Sequence, residues 1–369
     1  VKIEHIDQVL PHVEGRADFV VARKDGYVVV DYLFQNPDTF AEPIRRECRG
    51  IKFCSRTGSI LARPFAKFFN IGEREETQPH LIDFSRPHWV LSKLDGTMIH
   101  PSLLDGRIVL MTRMGRTGHA IAAERHLTSD LAEWFGTSLA EGWTPILEWV
   151  APDNRIIVKY PESKLVLLAI RNTITGEYLE PAAVRVNGLR AGLDVVDTHP
   201  SWGGSAQDFL AMARAITDAE GFVIRFADGL WLKCKGEDYV RKASAKNAIA
   251  LEKNALAIIL VGGLDDVKPL LMPDEVPALE RYGRTVLLGL GSTVDRVRRL
   301  VESGAHLDQK AFAVEHLQGV NPMVRALAFQ VRRGADAVEA VRALILKHTG
   351  SQTDVDAIRP LIGAPTWPL

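Results

Sequence analysis

The texture of the chain changes once, near residue 242, and that change limits the folds open to it. Before it, short β-rich runs succeed one another, several separated by Asp-Gly turns: Asp25-Gly26, Asp95-Gly96, Asp105-Gly106 and Asp228-Gly229. Residues 17–34, "ADFVVARKDGYVVVDYLF", predict a hairpin about Asp25-Gly26. Further strands are expected at "GIKFC", "SILARPF", "HWVLSKL", "TMIHPSLL", "RIVLMTR", "TPILEWV", "RIIVKY", "KLVLLAIRN", "GFVIRF" and "LWLKCKG". Helical patterning interrupts them at 117–141 and 205–219. After Tyr239 the chain is rich in Ala, Leu, Val, Arg and Glu at helical spacing. "STVDRVRRLVESG" predicts a helix opened by a Ser/Thr cap and closed at Gly304, with "GLGST" (289–293) as a helix end. "PMVRALAFQVRRG" predicts another, opened near Pro322 and closed at Gly334. The expectation is an α+β domain over 1–242 and an all-helical domain over 243–369.

Composition removes some function classes. A net charge of −1 means that any basic surface for nucleic acid must be local. Cys48, Cys54 and Cys234 fit no zinc spacing. Their odd number, with no apolar leader in "VKIEHIDQVL", leads us to expect reduced thiols in the cytoplasm. The longest apolar runs, such as "LAIILVGGL" (256–264), are too short to span a bilayer.

"VLSKLDGTMIH" (90–100) holds the candidate nucleophile, Lys93. A Lys-x-Asp-Gly match is weak alone; a chain this long should show one by chance roughly one time in ten. Read blandly, Lys93 is a solvated strand residue beside a turn, as in "RKDG" at 23–26. Charged residues farther down the chain set Lys93 apart. Glu148 lies in "TPILEWV", and Glu220 enters the apolar strand "GFVIRF". Lys233 and Lys235, two apart in "LWLKCKG", point to one face of their strand. Two cations on one face are costly unless the face is solvated or an anion meets them.

Lys93-x-Asp95-Gly96, Glu148, Glu220-Gly221 and Lys233-x-Lys235 fall in the order of the motifs of covalent nucleotidyltransferases: ATP-dependent DNA ligases, RNA ligases and capping enzymes. "ECRGIKF" (47–53), "RPFAKFFN" (63–70), "EWVAPDNRIIVKY" (148–160), "LLAIRNTITGEY" (167–178) and "LKCKGEDYV" (232–240) narrow the match. Over residues 45–240 the chain resembles the phage-type RNA ligase 1 family of tRNA-repair enzymes. The resemblance implies a nucleotidyltransferase domain of ATP-grasp-like antiparallel sheets, then an all-helical domain. It implies an ATP-dependent ligase joining RNA 3′-OH and 5′-phosphate ends through lysyl-AMP and an adenylylated RNA 5′ end. A DNA ligase or GTP-using capping enzyme is the alternative, but these carry an OB domain after the last motif, where this chain is helical. A non-catalytic RNA-binding relative is the alternative from another class, and the complete charged set counts against it.

The resemblance also implies roles. Lys93 carries the AMP. Lys233 and Lys235 clamp the α-phosphate. Asp95, Glu148 and Glu220 hold a Mg²⁺ or Mn²⁺ and its waters, or Glu148 accepts a ribose hydroxyl. Arg49 and Lys67 contact the nucleotide or its phosphates, and Phe69 lines the site. Gly96 allows close backbone approach. Val223 and Leu168 enclose the adenine, with core packing as the plainer reading, and Leu91 is a further nucleotide-binding residue. The family's phage member has a lysine where this chain has Met114; Arg113 or Arg116 is expected to replace its charge. Asp265-Asp266 resembles an acidic pair of the family, with a helix cap or loop as the plainer reading. The expected partners are RNA ends, a nicked tRNA among them, and a separate end-healing kinase-phosphatase. The expected protein is a phage-encoded monomer without a membrane association.

A metal is needed for a chemical reason. An ordinary lysine has a pKa of about 10.4, so only about one in a few thousand is neutral and nucleophilic at neutral pH. Nearby carboxylates make this worse unless a divalent cation offsets them.

Overall fold

The structure is a computed structural model, and it describes residues 1–273 and 275–367. It divides into two compact units, Val1–Val240 and Arg241–Leu369.

Fourteen strands make three sheets in the first unit. The first sheet is an antiparallel meander of β1 (Phe19–Arg23), β2 (Tyr27–Tyr32), β3 (Ile51–Cys54) and β4 (Ile60–Ala62). Its hairpin turns at Gly26, in the left-handed region at φ 80°. The remaining strands are β5 (Phe69–Asn70), β6 (His88–Lys93), β7 (Thr97–Leu104), β8 (Arg107–Met111), β9 (Trp143–Val150), β10 (Lys164–Asn172), β11 (Asp194–Val195), β12 (Thr198–His199), β13 (Gly221–Phe226) and β14 (Trp231–Lys235). They form one sheet in the order β11-β10-β9-β7-β8 and another in the order β12-β6-β13-β14-β5.

Each larger sheet has a core on one face. Leu131 and Phe135 of the helix Ser129–Ala140 pack with Ile99, Leu147 and Leu167 of the second sheet. Phe209 and Ala213 of the helix Ala206–Arg214 pack with Val90, Ile224 and Leu232 of the third. Leu91, Leu168 and Val223 lie outside these two cores.

Two expectations give way. "RIIVKY" is not a strand. The amides of Ile157 and Val158, which a ladder would have used, donate to the Asp95 carboxylate at 2.7 Å each. In the second unit, Ser292 caps nothing, and "GLGST" is not a helix end. Both lie inside one helix, Glu275–Ser303. The reason is a buried stripe that passes through them without a break: Leu279, Tyr282, Val286, Gly289, Thr293 and Val297.

After Lys235 the described residues form helices and turns but no strand. The helices Glu275–Ser303, Pro322–Arg332 and Ala337–Lys347 share a core of Val286, Val297, Val324, Leu327, Val341 and Ile345. The helix Glu237–Ile249 runs through the position where the texture of the sequence changes. Asp265 and Asp266 lie in the short helix Leu264–Val267, with Asp265 3.1 Å from Lys268. Among the described residues, no helix is long and apolar enough to cross a membrane.

Candidate active site

Strand register builds the site. Lys93 ends β6, opposite Gly221 of β13, which is in turn opposite Lys235 of β14. Two residues along, Leu91, Val223 and Lys233 make the next row. Alternation puts both rows on the same face of the sheet. Glu220, just before β13, lies between the outer lysines. One carboxylate oxygen is 2.7 Å from Lys93 Nζ and the other 2.9 Å from Lys235 Nζ.

A cavity of about 260 Å³ borders this face. Of the expected residues, Arg49, Leu91, Lys93, Asp95, Gly96, Glu148, Leu168, Glu220 and Val223 line it. Glu148 is supplied by β9 and Leu168 by β10, at a bulge between Leu167 and Ala169. The Gly96 amide donates to Glu148 Oε1 at 3.1 Å. A Cβ on Gly96 would lie 2.4 Å from the Trp149 carbonyl oxygen, so only glycine fits there.

The electrostatics are uneven. Burial, opposed by Lys93 and reinforced by the nearby Glu220 carboxylate, pushes Glu148 up to about 8. Burial, with Lys67, Lys93 and Arg49 close by, lowers Lys233 to about 7. Lys233 does not line the cavity; its amine stands 5.6 Å from the centre of the Phe68 ring, which does. Lys235 likewise lies beside the cavity, with its amine 4.8 Å from the centre of the Tyr239 ring.

Three expected roles meet a different geometry. Asp95 lines the cavity, but its carboxylate is taken up by the protein. One oxygen accepts from the Ile157 and Val158 amides, and the other accepts from the Tyr239 hydroxyl at 2.7 Å. These bonds give Asp95 an anchoring role in this conformation. Phe69 does not line the cavity. It is buried against Phe40, while its neighbour Phe68, just before the strand, takes the cavity wall. Arg113 does not reach the cavity either; its Nε is 3.0 Å from the buried Asp31 carboxylate. Arg116 pairs with Glu124 at 2.7 Å. In this conformation neither arginine fills the place of the lysine expected at Met114.

Lys67 sits outside the cavity, 3.9 Å from Glu73, with its amine 5.3 Å from the ring centres of Tyr32, Phe40 and Phe69.

Sequence reasoning missed Trp231, Phe65, Phe68 and Tyr239 on the cavity wall. Trp231 had a signal, because it alternates in step with Lys233 and Lys235. Tyr239 had only its place in "LKCKGEDYV".

Among the described residues, no three His, Cys, Asp or Glu side chains group as metal ligands. The cavity does offer two carboxylates, Glu148 and Glu220, of which the buried Glu148 is hard to ionise without added positive charge. That donor set fits a divalent cation that keeps most of its waters, as Mg²⁺ does when few protein oxygens are present.

A family model described as RNA ligase matches residues 47–247. A putative RNA ligase of Thermovibrio ammonificans is 36% identical over 177 residues, covering 47% of this chain and 46% of that protein. RNA ligase 1 of bacteriophage TS2126 is 32% identical over 216 residues, covering 56% and 54%. The chain thus matches about half the length of these curated relatives. An archaeal ATP-dependent RNA ligase structure aligns at 17% identity and a TM-score of 0.48, over 65% of this chain and 64% of that one.

Proposed function

The chain belongs to the RNA ligase family, and we propose that it joins RNA 3′-OH and 5′-phosphate ends using ATP, with AMP carried on Lys93. What supports this reading most is one arrangement: Lys93 and Lys235 held by the two oxygens of Glu220 beside a cavity with apolar walls. A nucleotide base fits between Leu91, Val223 and Leu168, and its α-phosphate would lie beside Lys93.

In the first step, Lys93 Nζ bonds to the α-phosphorus of ATP as the bond to the β-phosphate oxygen breaks and pyrophosphate leaves. AMP then passes to an RNA 5′-phosphate oxygen. Attack by an RNA 3′-OH seals the strand and frees AMP. Lys235 and Lys233 balance the negative charge that builds on the transferred phosphoryl group. Lys93 must first give up its ion pair with Glu220, because only the neutral amine attacks. A Mg²⁺ or Mn²⁺ held by Glu148 and Glu220 would supply the positive charge that disfavours the ammonium form. Asp95 takes part indirectly, by fixing the segment after Glu148 and the Tyr239 ring.

The finer reading is that the RNA is a nicked tRNA, healed beforehand by a separate kinase-phosphatase. The helical region from residue 243 would select it. In this reading the ligase acts as a monomer in the cytoplasm, as a phage protein would in its host.

The deciding experiment is mass spectrometry of protein stripped with pyrophosphate and then given ATP and Mg²⁺. The chain should gain one acid-labile AMP, and Lys93→Ala should gain none. A wild-type chain that stays unmodified under these conditions overturns the proposal. GTP offered in parallel should give no adduct.

A further inference from the structure

Strand β3 carries a lysine that the three steps do not use. Lys52 is fully buried, a costly place for an amine unless it is met by partners. Its Nζ lies 2.8 Å from His100 Nε2, 2.7 Å from the Thr112 carbonyl oxygen and 3.1 Å from that of Arg113. His100 Nδ1 is 3.1 Å from the Pro101 carbonyl oxygen, which assigns the ring hydrogen to Nδ1 and leaves Nε2 as an acceptor. Burial drives Lys52 toward its neutral form, and Asp31 opposes this. The acceptor count favours the charged form: three acceptors meet the three donors of an ammonium, whereas a neutral amine has two.

The backbone held by Lys52 is close to the nucleotide side of the molecule. Thr112 and Arg113 open a tight turn after β8, closed by bonds of 2.8 and 3.1 Å between Thr112 and Gly115. That turn presses on Gly50, where a Cβ would lie 2.4 Å from the Arg113 carbonyl oxygen. Arg49, just before this glycine, lines the cavity. Arg113 reaches from the same turn to Asp31, and its guanidinium stands 4.8 Å from the centre of the Tyr32 ring. Lys67 Nζ is 5.3 Å from that ring centre.

We propose that Lys52 is a positioning residue for the grip on the phosphates of ATP, locking the Arg49–Gly50 bend to the Thr112–Arg113 turn so that Arg49, the member of this group that lines the cavity, keeps one arrangement. The role rests on the ATP-ligase reading of the cavity. A methionine at 52 would fill the space but release both carbonyls. The full triphosphate tail matters for ATP binding, whereas an RNA already adenylylated keeps the α-phosphate and one further phosphate in its diphosphate bridge and lacks the terminal phosphate, with the RNA chain itself adding to the binding.

The test compares Lys52→Met with His100→Phe, which removes one acceptor and leaves both carbonyl contacts. ATP affinity is measured by calorimetry in a Lys93→Ala background, where no adduct forms. Sealing of pre-adenylylated RNA is measured with Lys93 intact. Lys52→Met should weaken ATP binding about tenfold, the scale of a lost charged hydrogen bond. His100→Phe should weaken it less, and sealing should stay within about twofold for both. Unchanged ATP affinity in folded Lys52→Met, or equal losses in binding and sealing, overturns the role. If Lys52→Met does not fold, His100→Phe decides by the same criteria. Failure of the Lys93→Ala protein with native Lys52 to bind ATP would instead count against the ATP-ligase reading.

Discussion

The lysines of the two rows have different surroundings: Lys93 and Lys235 pair with Glu220, whereas Lys233 stands among cations. Lys233, lowered to about 7 by burial and by neighbouring cations, is only partly charged at neutral pH. An incoming phosphate favours its charged form, so binding should take up a proton near pH 7, and affinity should fall as pH rises above it. Calorimetry of ATP binding in two buffers of different ionisation enthalpy should detect this uptake, and Lys233→Gln should remove it. Uptake unchanged in that variant would place the titrating group elsewhere. The shared face of Lys233 and Lys235 was legible in the sequence because side chains alternate on a strand, but the rows were not, because they depend on the pairing of three strands distant in the chain. Nor was the fate of Asp95. Its partners, Ile157, Val158 and Tyr239, are far away in the chain, and "Asp-Gly" reads equally well as a turn. Phe69 was misplaced for a related reason. Phe68 lies just before the two-residue strand Phe69–Asn70, and nothing local tells which of these adjacent phenylalanines faces the cavity.

Among the elements, segment 155–160 departs most from its local preference. "RIIV" is β-prone, yet it forms no ladder because a carboxylate supplies the acceptors. Asp95→Asn should therefore act on this segment first. The amides of Ile157 and Val158 should exchange their hydrogens about ten- to a hundredfold faster, matching the loss of about 1.5–3 kcal/mol for hydrogen bonds to a charged group. If Asp95 served only as a metal ligand, amide protection in metal-free protein would not change. The long helix Glu275–Ser303 teaches the converse. Serine and glycine at 289–293 looked like an end, but the buried stripe outweighed their weak propensity.

Across the larger unit, distant parts of the chain meet at a buried charge cluster. Glu47 receives Arg63 at 3.0 Å and Arg171 at 2.8 Å, and all three side chains are buried. Arg63 also donates to the Ile174 carbonyl oxygen, and Arg171 to that of Pro64. Burial alone would raise the Glu47 pKa, but the two guanidiniums outweigh it and hold the group below its usual range. A carboxylate with a lowered folded-state pKa contributes its full stability above the unfolded value of about 4.3 and loses it as pH falls through the folded value. Glu47→Gln should lower stability by about 3–5 kcal/mol at pH 7, because it leaves two buried cations without their anion. The gap between wild type and variant, tracked by thermal unfolding, should be flat above about pH 5 and narrow below it. A gap independent of pH down to about 3 would rule out the charge as its source.

The clasp of Glu220 on Lys93 and Lys235 has a consequence for the idle protein. An amine in an ion pair has its lone pair occupied by a proton, so it cannot attack the aldehydes and activated acyl groups that modify lysines in a cell. On the proposed reading, the nucleophile would be stored paired with Glu220. If Lys93 carries AMP as proposed, the carboxylate that would delay its first step would also guard it against the wrong electrophile.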